Sequence, residues 1–206
     1  RRRFLDMAIC QSFPRYVSSL NEYGRLLSQK NALLRTGEGN DDLLDVYNER
    51  MAACGAVVTV NRRKYLRKLE EQASPVHSEM SAQRETLTLV YTTQAEGETL
   101  EELRSGYERV FESRKAAEKL RGLALAGPHK DDFSVQINGK NARLYASQGQ
   151  QRTAVLALKR AEGALSRRLT GEYPVFLFDD ILSELDAGRR AFLLGSGYSV
   201  VRDYTF

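Results

Sequence analysis

The stretch from Ala146 to Asp186 decides how this chain folds, and it contains three distinct segments. It reads Ala-Ser-Gln-Gly-Gln-Gln-Arg at 146–152, Val-Phe-Leu-Phe-Asp-Asp at 175–180 and Ser-Glu-Leu-Asp at 183–186. Ser147 is a residue type that caps helices, and the first turn of a helix presents unpaired N–H groups and a positive dipole end. Such a helix tip is suited to bind phosphate. A capped helix without any ligand explains the same residues and stays open at this point.

A second feature is an apolar strand, predicted at 175–178, that ends in two carboxylates. A continuous apolar run without alternation is typical of a strand buried on both faces of a parallel sheet. Asp179 and Asp180 follow at its carboxyl end, the edge where open α/β sheets bind ligands. Successive side chains of a strand point in opposite directions, so one carboxylate can hold Mg²⁺ while the other orients an attacking water. A structural alternative is an aspartate that caps the next helix.

Composition indicates a globular chain with a mildly basic surface. The 206 residues are 42% apolar and 28% charged, with a formal net charge of +4. This excess favours an anionic partner such as DNA or a nucleotide, although an ordinary solvated surface explains it equally well. The two cysteines and two histidines lack the spacing of a disulfide framework or a zinc site, which fits a cytoplasmic location. No apolar run is long enough to span a membrane.

The first part of the chain predicts two long helices that pair antiparallel. A helix after Pro14 is predicted to bury Phe13, Val17, Leu20, Leu27 and Leu34. The next helix is predicted to bury Leu44, Tyr47, Met51, Cys54, Val58, Tyr65 and Leu69. The β-branched run at 55–60 could form a strand, but the helical spacing continues across it and favours helix.

The second of these helices carries a basic cluster that could contact DNA. Its members are Arg62, Arg63, Lys64, Arg67 and Lys68. Lys and Arg at this density can bind the phosphate backbone. A solvated helix face with ion pairs to neighbouring glutamates is the alternative, and it is the one favoured by base rates.

From residue 85 onward the pattern becomes mixed. Alternating threonine and apolar residues predict a strand at 85–93, and an amphipathic helix runs from Leu100 to near Gly122. Strands at 133–137 and 140–145 flank Asn138-Gly139, a strong hairpin signal. The shift predicts two domains, at 1–84 and 85–206.

Three segments together resemble the RecF family, which comprises bacterial recombination-repair ATPases related to SMC and Rad50 heads. They are Gly-Pro-His-Lys-Asp-Asp at 127–132, the signature-like segment at 146–152 and Leu-Phe-Asp-Asp-Ile-Leu-Ser-Glu-Leu-Asp at 177–186. The resemblance implies an α/β fold, namely half of an ABC-type ATPase head with a mixed sheet and flanking helices, at 85–206. It also implies a mainly helical lobe with a long antiparallel helix pair at 1–84.

The resemblance further implies roles for individual residues. The ABC signature motif, which closes over the γ-phosphate of ATP held by a partner subunit, corresponds to Ser147, Gln148, Gly149, Gln150 and Gln151. Asp179 corresponds to the Walker B aspartate that holds Mg²⁺, and Asp180 occupies the position of the catalytic carboxylate. Ser183 and Asp186 belong to the D-loop, which crosses the dimer interface.

At the level of the whole protein, the resemblance implies an ATP-dependent homodimer with weak DNA-dependent ATPase activity. It would bind DNA at junctions of single-stranded and duplex DNA, and act with RecO and RecR to load RecA. An ATPase of this class needs a P-loop, Gly-x-x-x-x-Gly-Lys-Ser/Thr, and the chain has none. The family's P-loop lies N-terminal to the segments seen here, so the chain alone is expected not to bind ATP tightly or hydrolyse it.

Two alternatives remain open on sequence grounds. One is another SMC-like head, such as a Rad50 or OLD-type protein, although Gln148 and Asp180 favour the RecF family. The other is a non-enzymatic helical DNA-binding scaffold, in which residues 1–80 carry the function and the acidic pair is structural. A P-loop upstream of Arg1 would support an ATPase head over the scaffold.

Overall fold

The computed structural model describes residues 1–11, 13–37, 41–172, 175–178 and 200–202. Along the chain the elements are α1 (Arg2–Cys10), α2 (Pro14–Thr36), α3 (Asp41–Met80), β1 (Leu87–Thr92), α4 (Leu100–Arg121), β2 (Asp132–Ile137), β3 (Lys140–Asn141), α5 (Ala142–Tyr145), α6 (Gln148–Thr170), β4 (Phe176–Phe178) and β5 (Val200–Arg202). No helix in these ranges is long and apolar enough to cross a membrane.

The chain forms two compact units, and each is built from two separate stretches. The first unit is Arg1–Leu66 with Tyr91–Phe133, and the second is Arg67–Val90 with Ser134–Phe206. This division differs from the predicted boundary between residues 84 and 85. The composition shift at that point marks where strands begin, whereas compact units are defined by contacts between segments distant in sequence.

Helix α3 confirms that helical spacing outweighs β-branched composition at 55–60. The helix runs for 40 residues without a break through this segment. Ala52, Ala56 and Val58 are fully buried in it. β-Branched residues have a slightly lower helix propensity than alanine. The buried packing contacts in this segment outweigh that modest cost.

The buried face of α2 shares only Leu34 with the predicted one. Its buried residues are Tyr16, Tyr23, Leu26, Lys30 and Leu34. Phe13, predicted to be buried, is 37% exposed. Tyrosine and lysine carry long apolar stems, so they can lie in a core when their polar ends find partners there. A pattern that counts only apolar residues misses this face.

Polar contacts within the first unit confirm that α2 and α3 pair antiparallel. Arg62 Nε donates to the hydroxyl of Tyr16 at 3.2 Å, near the start of α2. Lys30 Nζ donates to Asn48 Oδ1 at 2.6 Å, so the later residue of α2 meets the earlier residue of α3. A core of aliphatic and aromatic side chains from α2, α3 and α4 packs here, including Leu26, Met51 and Phe111.

Lys30 is a buried charge that joins three helices. Its side chain is 1% exposed, and Nζ lies 2.6 Å from Glu118 Oε2 on α4. Nζ also lies 5.0 Å from the centroid of the Phe111 ring. Burial lowers the pKa of Lys30, and the hydrogen bond and charge of Glu118 oppose that shift.

The sheet is built around the predicted hairpin. Strand order is β1-β2-β3, and β2 pairs antiparallel with β3, with Ile137 opposite Lys140. Asn138 and Gly139 have φ of 50° and 75°, the two positive values that a type I′ turn requires. The predicted return strand at 140–145 is shorter than expected: β3 ends at Asn141, whose side chain accepts from Arg143 N and caps the helical turn α5.

The predicted strand at 175–178 is present as β4, and it has a parallel partner. Phe176–Phe178 pairs with Val200–Arg202, with Leu177 opposite Val201. Parallel pairing is the arrangement that the unbroken apolar run predicted. The aspartates predicted to follow this strand, Asp179 and Asp180, lie outside the described residues.

Replacing Lys30 with methionine should lower the free energy of unfolding by about 3–5 kcal/mol, because Glu118 would keep a buried charge without its partner. Urea unfolding followed by circular dichroism measures this change. The control is Arg104→Gln, since Arg104 pairs with Glu49 and Glu108 at an exposed site and should contribute less than about 1 kcal/mol. A loss for Lys30→Met no larger than that of the control would contradict this role of the buried pair.

Candidate functional site

The candidate phosphate-binding element is the N-terminus of α6, in the second unit. Ser147 is its N-cap, with an extended backbone at φ −61° and ψ 160°. Ser147 Oγ accepts from Gln150 N at 3.3 Å, and Gln150 Oε1 accepts from Ser147 N at 2.8 Å. This reciprocal pair is a capping box, and it confirms that the helix begins where the sequence predicts.

The tip of α6, defined as residues 147–151, is open to solvent. Ser147, Gln148 and Gln151 are exposed, while Gly149 and Gln150 are partly buried. The capping box uses the amides of Ser147 and Gln150 and leaves those of Gln148 and Gly149 outside it. These two amides and the positive end of the helix dipole form a surface that can accept an anion.

The body of α6 is fixed by small buried residues. Ala154, Ala157 and Ala161 are at most 3% exposed, and they recur at helical spacing. The spacing of Val155, Leu158 and Leu165 along the helix predicts that all three are buried. Leu158 and Leu165 are buried, but Val155 is 55% exposed, so its predicted burial is wrong. Alanines let the helix approach its neighbours closely. Val155 lies outside this row of buried alanines and faces solvent. The helix tip therefore extends from a well-packed helix body.

Glu85 connects the tip of α6 to the end of α3. It lies in the second unit, together with its partners Gln150 and His77. Glu85 Oε1 accepts from Gln150 Nε2 at 2.8 Å. Glu85 Oε2 lies 3.1 Å from His77 Nε2, and the His77 side chain is fully buried. Sequence reasoning missed both residues. Neither lies in a recognisable motif, and 65 positions separate Glu85 from Gln150.

The remaining predicted nucleotide-site residues lie outside the described part of the structure. These are Asp179 for Mg²⁺, Asp180 for catalysis, and Ser183 and Asp186 in the D-loop. Within the described ranges, no group of three or more histidines, cysteines, aspartates or glutamates could hold a metal ion. The roles of Asp179, Asp180, Ser183 and Asp186 remain predictions.

The first unit contains a second polar cluster, around the turn at 127–132. Arg62 Nε and Nη2 donate to the two carboxylate oxygens of Asp6 at 2.8 and 2.9 Å. Its Nη1 donates to the carbonyl of Pro128 at 2.7 Å. The Arg62 side chain is 3% exposed. Arg62 is therefore engaged in holding this turn, a position that gives no support to its predicted contact with DNA.

The other members of the basic cluster are more accessible. Arg63 is partly buried and donates to the carbonyl of Gly97. Lys64, Arg67 and Lys68 are exposed. These three keep the properties that a phosphate contact requires, and their DNA contact remains a prediction.

A close approach at Gly127 orients His129. Gly127 has φ of 124°, and a Cβ placed there would lie 2.2 Å from the Tyr23 hydroxyl oxygen, so only glycine fits. That hydroxyl lies 2.6 Å from His129 Nδ1. Burial lowers the pKa of His129 to about 4, so the ring is neutral at physiological pH.

Asp131 fixes the other end of the turn. The residue is 2% exposed, and its Oδ2 accepts hydrogen bonds from three hydroxyl groups. They belong to Tyr91 at 2.8 Å, Tyr107 at 3.1 Å and Thr59 at 3.2 Å. Burial raises the pKa of Asp131, and hydrogen bonds from Tyr91, Thr93 and Tyr107, together with the charge of Arg62, oppose the shift. Hydrogen bonds therefore hold the turn at both ends within the first unit.

The helical lobe, the capped helix tip and the parallel strand pair define the class: a fragment of an ABC-type ATPase head with a mainly helical lobe. No family model matches the chain. The DNA replication and repair protein RecF of Exiguobacterium sp. is 42% identical over 200 residues, which are 94% of this chain and 54% of that protein. RecF of Symbiobacterium thermophilum is also 42% identical, over 95% of this chain and 53% of that protein. The chain is homologous to RecF proteins.

Solved structures agree with this relationship. One is described as the recombination mediator protein RecF-ATPrS in the RecFOR pathway, with a TM-score of 0.87 and 34% identity over 97% of this chain and 56% of that chain. A second, described as RecF-ATP in the same pathway, gives a TM-score of 0.87 at 35% identity, over 96% of this chain and 55% of that chain. The chain therefore spans about half the length of the relatives it matches.

The depressed pKa of His129 predicts how stability depends on pH. Because the folded-state pKa of about 4 lies below the ordinary value of 6.5, the neutral ring stabilises the fold above pH 6.5. This contribution should be lost as pH falls from 6.5 through about 4. An NMR titration should show the His129 ring signal, identified by its absence in His129→Gln, unchanged from pH 7 to 5. A midpoint near 6.5 would contradict the assignment.

Proposed function

We propose that this chain is the signature-bearing half of an ATP-dependent DNA-repair ATPase. In this proposal the tip of α6 closes over the γ-phosphate of ATP bound by a second subunit. The observation that carries it is the exposed, capped helix tip of Ser147, in a chain homologous to RecF proteins. Relatives solved with ATP support the choice of nucleotide. The chain lacks a P-loop, so the nucleotide has to be held by another segment.

The chemistry of the tip suits a site that senses a phosphate without binding the rest of the nucleotide. The amides of Gln148 and Gly149 and the helix dipole supply partial positive charge in a fixed place. Gln148 and Gln151 add neutral side-chain donors at the same exposed surface. A triphosphate carries several negative charges, and its γ-phosphate is the group lost on hydrolysis. Release of the second subunit would follow that loss.

Two further residues complete the proposed reaction. Mg²⁺ bound at this site would neutralise charge on the β- and γ-phosphates. Asp179 would hold the ion, because a carboxylate is a preferred magnesium ligand. Asp180 would orient or deprotonate the attacking water. In the full-length protein, meaning this chain together with the remainder that its relatives possess, we propose a weak DNA-dependent ATPase.

DNA is the proposed macromolecular ligand. The relatives bear the name DNA replication and repair protein, and the solved ones are placed in the RecFOR pathway by their descriptions. The net charge of +4 and the exposed Lys64, Arg67 and Lys68 are compatible with phosphate contacts. We propose binding at junctions of single-stranded and duplex DNA, with RecO and RecR as partners in loading RecA. This activity would be cytoplasmic.

Changing Ser147 to arginine in the full-length protein should abolish ATP-driven dimerisation, because the large side chain would occupy the space of the γ-phosphate. Sedimentation velocity with and without ATP measures the oligomeric state, and binding of a fluorescent ATP analogue by the monomer should be unchanged. Ser28→Arg is the matched control, since Ser28 is an exposed residue of α2. Dimerisation of Ser147→Arg at the wild-type ATP concentration would rule out the proposed function.

Changing Asp180 to asparagine should separate dimerisation from hydrolysis. Loss of the base should slow ATP hydrolysis by about 100-fold or more, the usual contribution of a positioned general base. ATP-driven dimerisation should persist because the phosphate-binding groups are unchanged. Phosphate release assays and sedimentation provide the two readouts. A wild-type hydrolysis rate would show that the role assigned to Asp180 is wrong.

A further inference from the structure

We propose that Glu85 and His77 are positioning residues for the tip of α6. Glu85 holds the side chain of Gln150, Gln150 holds the backbone of Ser147, and the first turn of the helix is thereby fixed for phosphate. This inference rests on the proposed function, because it concerns how the same tip is kept in a binding geometry. It assigns a role to two residues that lie outside the segments resembling an ATPase motif.

The contacts form an unbroken chain of hydrogen bonds within the second unit. His77 Nε2 lies 3.1 Å from Glu85 Oε2, and Glu85 Oε1 accepts from Gln150 Nε2 at 2.8 Å. Gln150 Oε1 then accepts from Ser147 N at 2.8 Å. The side chains of His77 and Glu85 are 0% and 14% exposed, so water competes little for the two bonds made by Glu85.

The chemistry of Glu85 sets the direction of this chain. An ionised carboxylate only accepts hydrogen bonds, so the nitrogen of the Gln150 amide must face Glu85. The oxygen of that amide is then directed to Ser147, whose backbone N–H can only donate. Both bonds fail if the amide turns over. Glu85 therefore selects the one orientation of Gln150 that completes the capping box.

Glu85 is itself held in place on both sides along the chain. Before it, Gln83 N donates to the carbonyl of Ser78 at 2.7 Å and closes the end of α3. After it, Thr86 N donates to Asn138 Oδ1 at 2.8 Å, and Asn138 N donates to the carbonyl of Thr86 at 2.9 Å. The backbone on both sides of Glu85 is therefore held in place, and this positions its carboxylate to accept from Gln150.

The effect of Glu85 should be confined to the tip. Farther along α6, Thr153 Oγ1 donates to the carbonyl of Gly149 at 2.8 Å, and Thr153 and Ala157 are fully buried. These contacts do not involve Glu85. Removing the carboxylate should thus leave the helix folded while the amides of its first turn become mobile. A residue needed only for stability would instead lower the melting temperature of the whole unit.

A reciprocal exchange of side chains tests the proposal in the full-length protein without nucleotide. In Glu85→Gln the orientation of Gln150 is no longer dictated, and in Gln150→Glu two carboxylates face each other. The double variant E85Q/Q150E restores one carboxylate and one amide in reversed positions. In it, the amide of residue 85 can donate to residue 150, whose carboxylate still accepts from Ser147 N. Glu71→Gln, an exposed position on α3 in the same unit, is the charge-matched control.

Hydrogen–deuterium exchange of peptides covering residues 145–152 is the primary readout. Each single variant should speed exchange at the tip about tenfold, the effect of losing one hydrogen bond to a charged group. The double variant should return exchange to within about twofold of the wild type, and Glu71→Gln should not change it. Such non-additivity is the signature of a direct interaction between the two positions. Wild-type exchange in Glu85→Gln, or no recovery in the double variant, would overturn the proposal.

The functional readout is the ATP concentration that drives dimerisation, measured for Glu85→Gln and His77→Leu. Both should need about tenfold more ATP than the wild type, with unchanged analogue binding by the monomer. Glu85→Gln, which keeps a hydrogen-bonding side chain at this position, should also leave the melting temperature unchanged. The double variant is excluded from this assay, because a carboxylate at position 150 would repel phosphate.

The outcomes separate the two claims. If Ser147→Arg blocks dimerisation but Glu85→Gln dimerises like the wild type, the positioning role is wrong and the proposed function stands. If the wild type itself does not dimerise with ATP, the proposed function fails.

Discussion

An ionised carboxylate can only accept hydrogen bonds, and this constraint shapes both compact units. In the second unit, Glu85 gives one oxygen to Gln150 and the other to His77. In the first unit, Asp6 receives two donors from Arg62, and Asp131 receives three hydroxyl groups. Asp131 is buried and Asp6 and Glu85 are partly buried, so losing one of these donors would be costly. Segments distant in sequence are thereby joined at defined points.

Part of the structure could be predicted from sequence patterns alone. The start of α6, the type I′ turn at Asn138-Gly139 and the helical state of residues 55–60 depend on rules that operate over a few neighbouring residues. Capping boxes, positive-φ turns and helical periodicity are such local rules. The parallel pairing of β4 also followed, because an unbroken apolar run is typical of strands in parallel sheets.

What sequence reasoning missed depends on partners far along the chain. Arg62 belongs to a run of basic residues, yet its burial is determined by Asp6 and Pro128, 56 and 66 positions away. The buried face of α2 shifted for a related reason, since Lys30 is buried only because Glu118 and Asn48 pair with it. Glu85 and His77 carried no signal at all, because nothing in their spacing relates them to Gln150. The candidate site was located by its backbone signature, but the residues that hold it were not.

The proposed site interacts with phosphate through backbone amides and neutral side chains and carries little formal charge. This agrees with a surface that contacts a nucleotide already held by another subunit. A fixed helix tip can recognise a phosphate through backbone amides and still separate once the phosphate leaves. The most direct measurement is a structure of the full-length protein bound to a non-hydrolysable ATP analogue. The account predicts that the amide of Gln148 or Gly149 in one subunit lies within hydrogen-bonding distance of the γ-phosphate held by the other. A nucleotide-bound dimer in which the tip of α6 remains in solvent, away from the triphosphate, would contradict it.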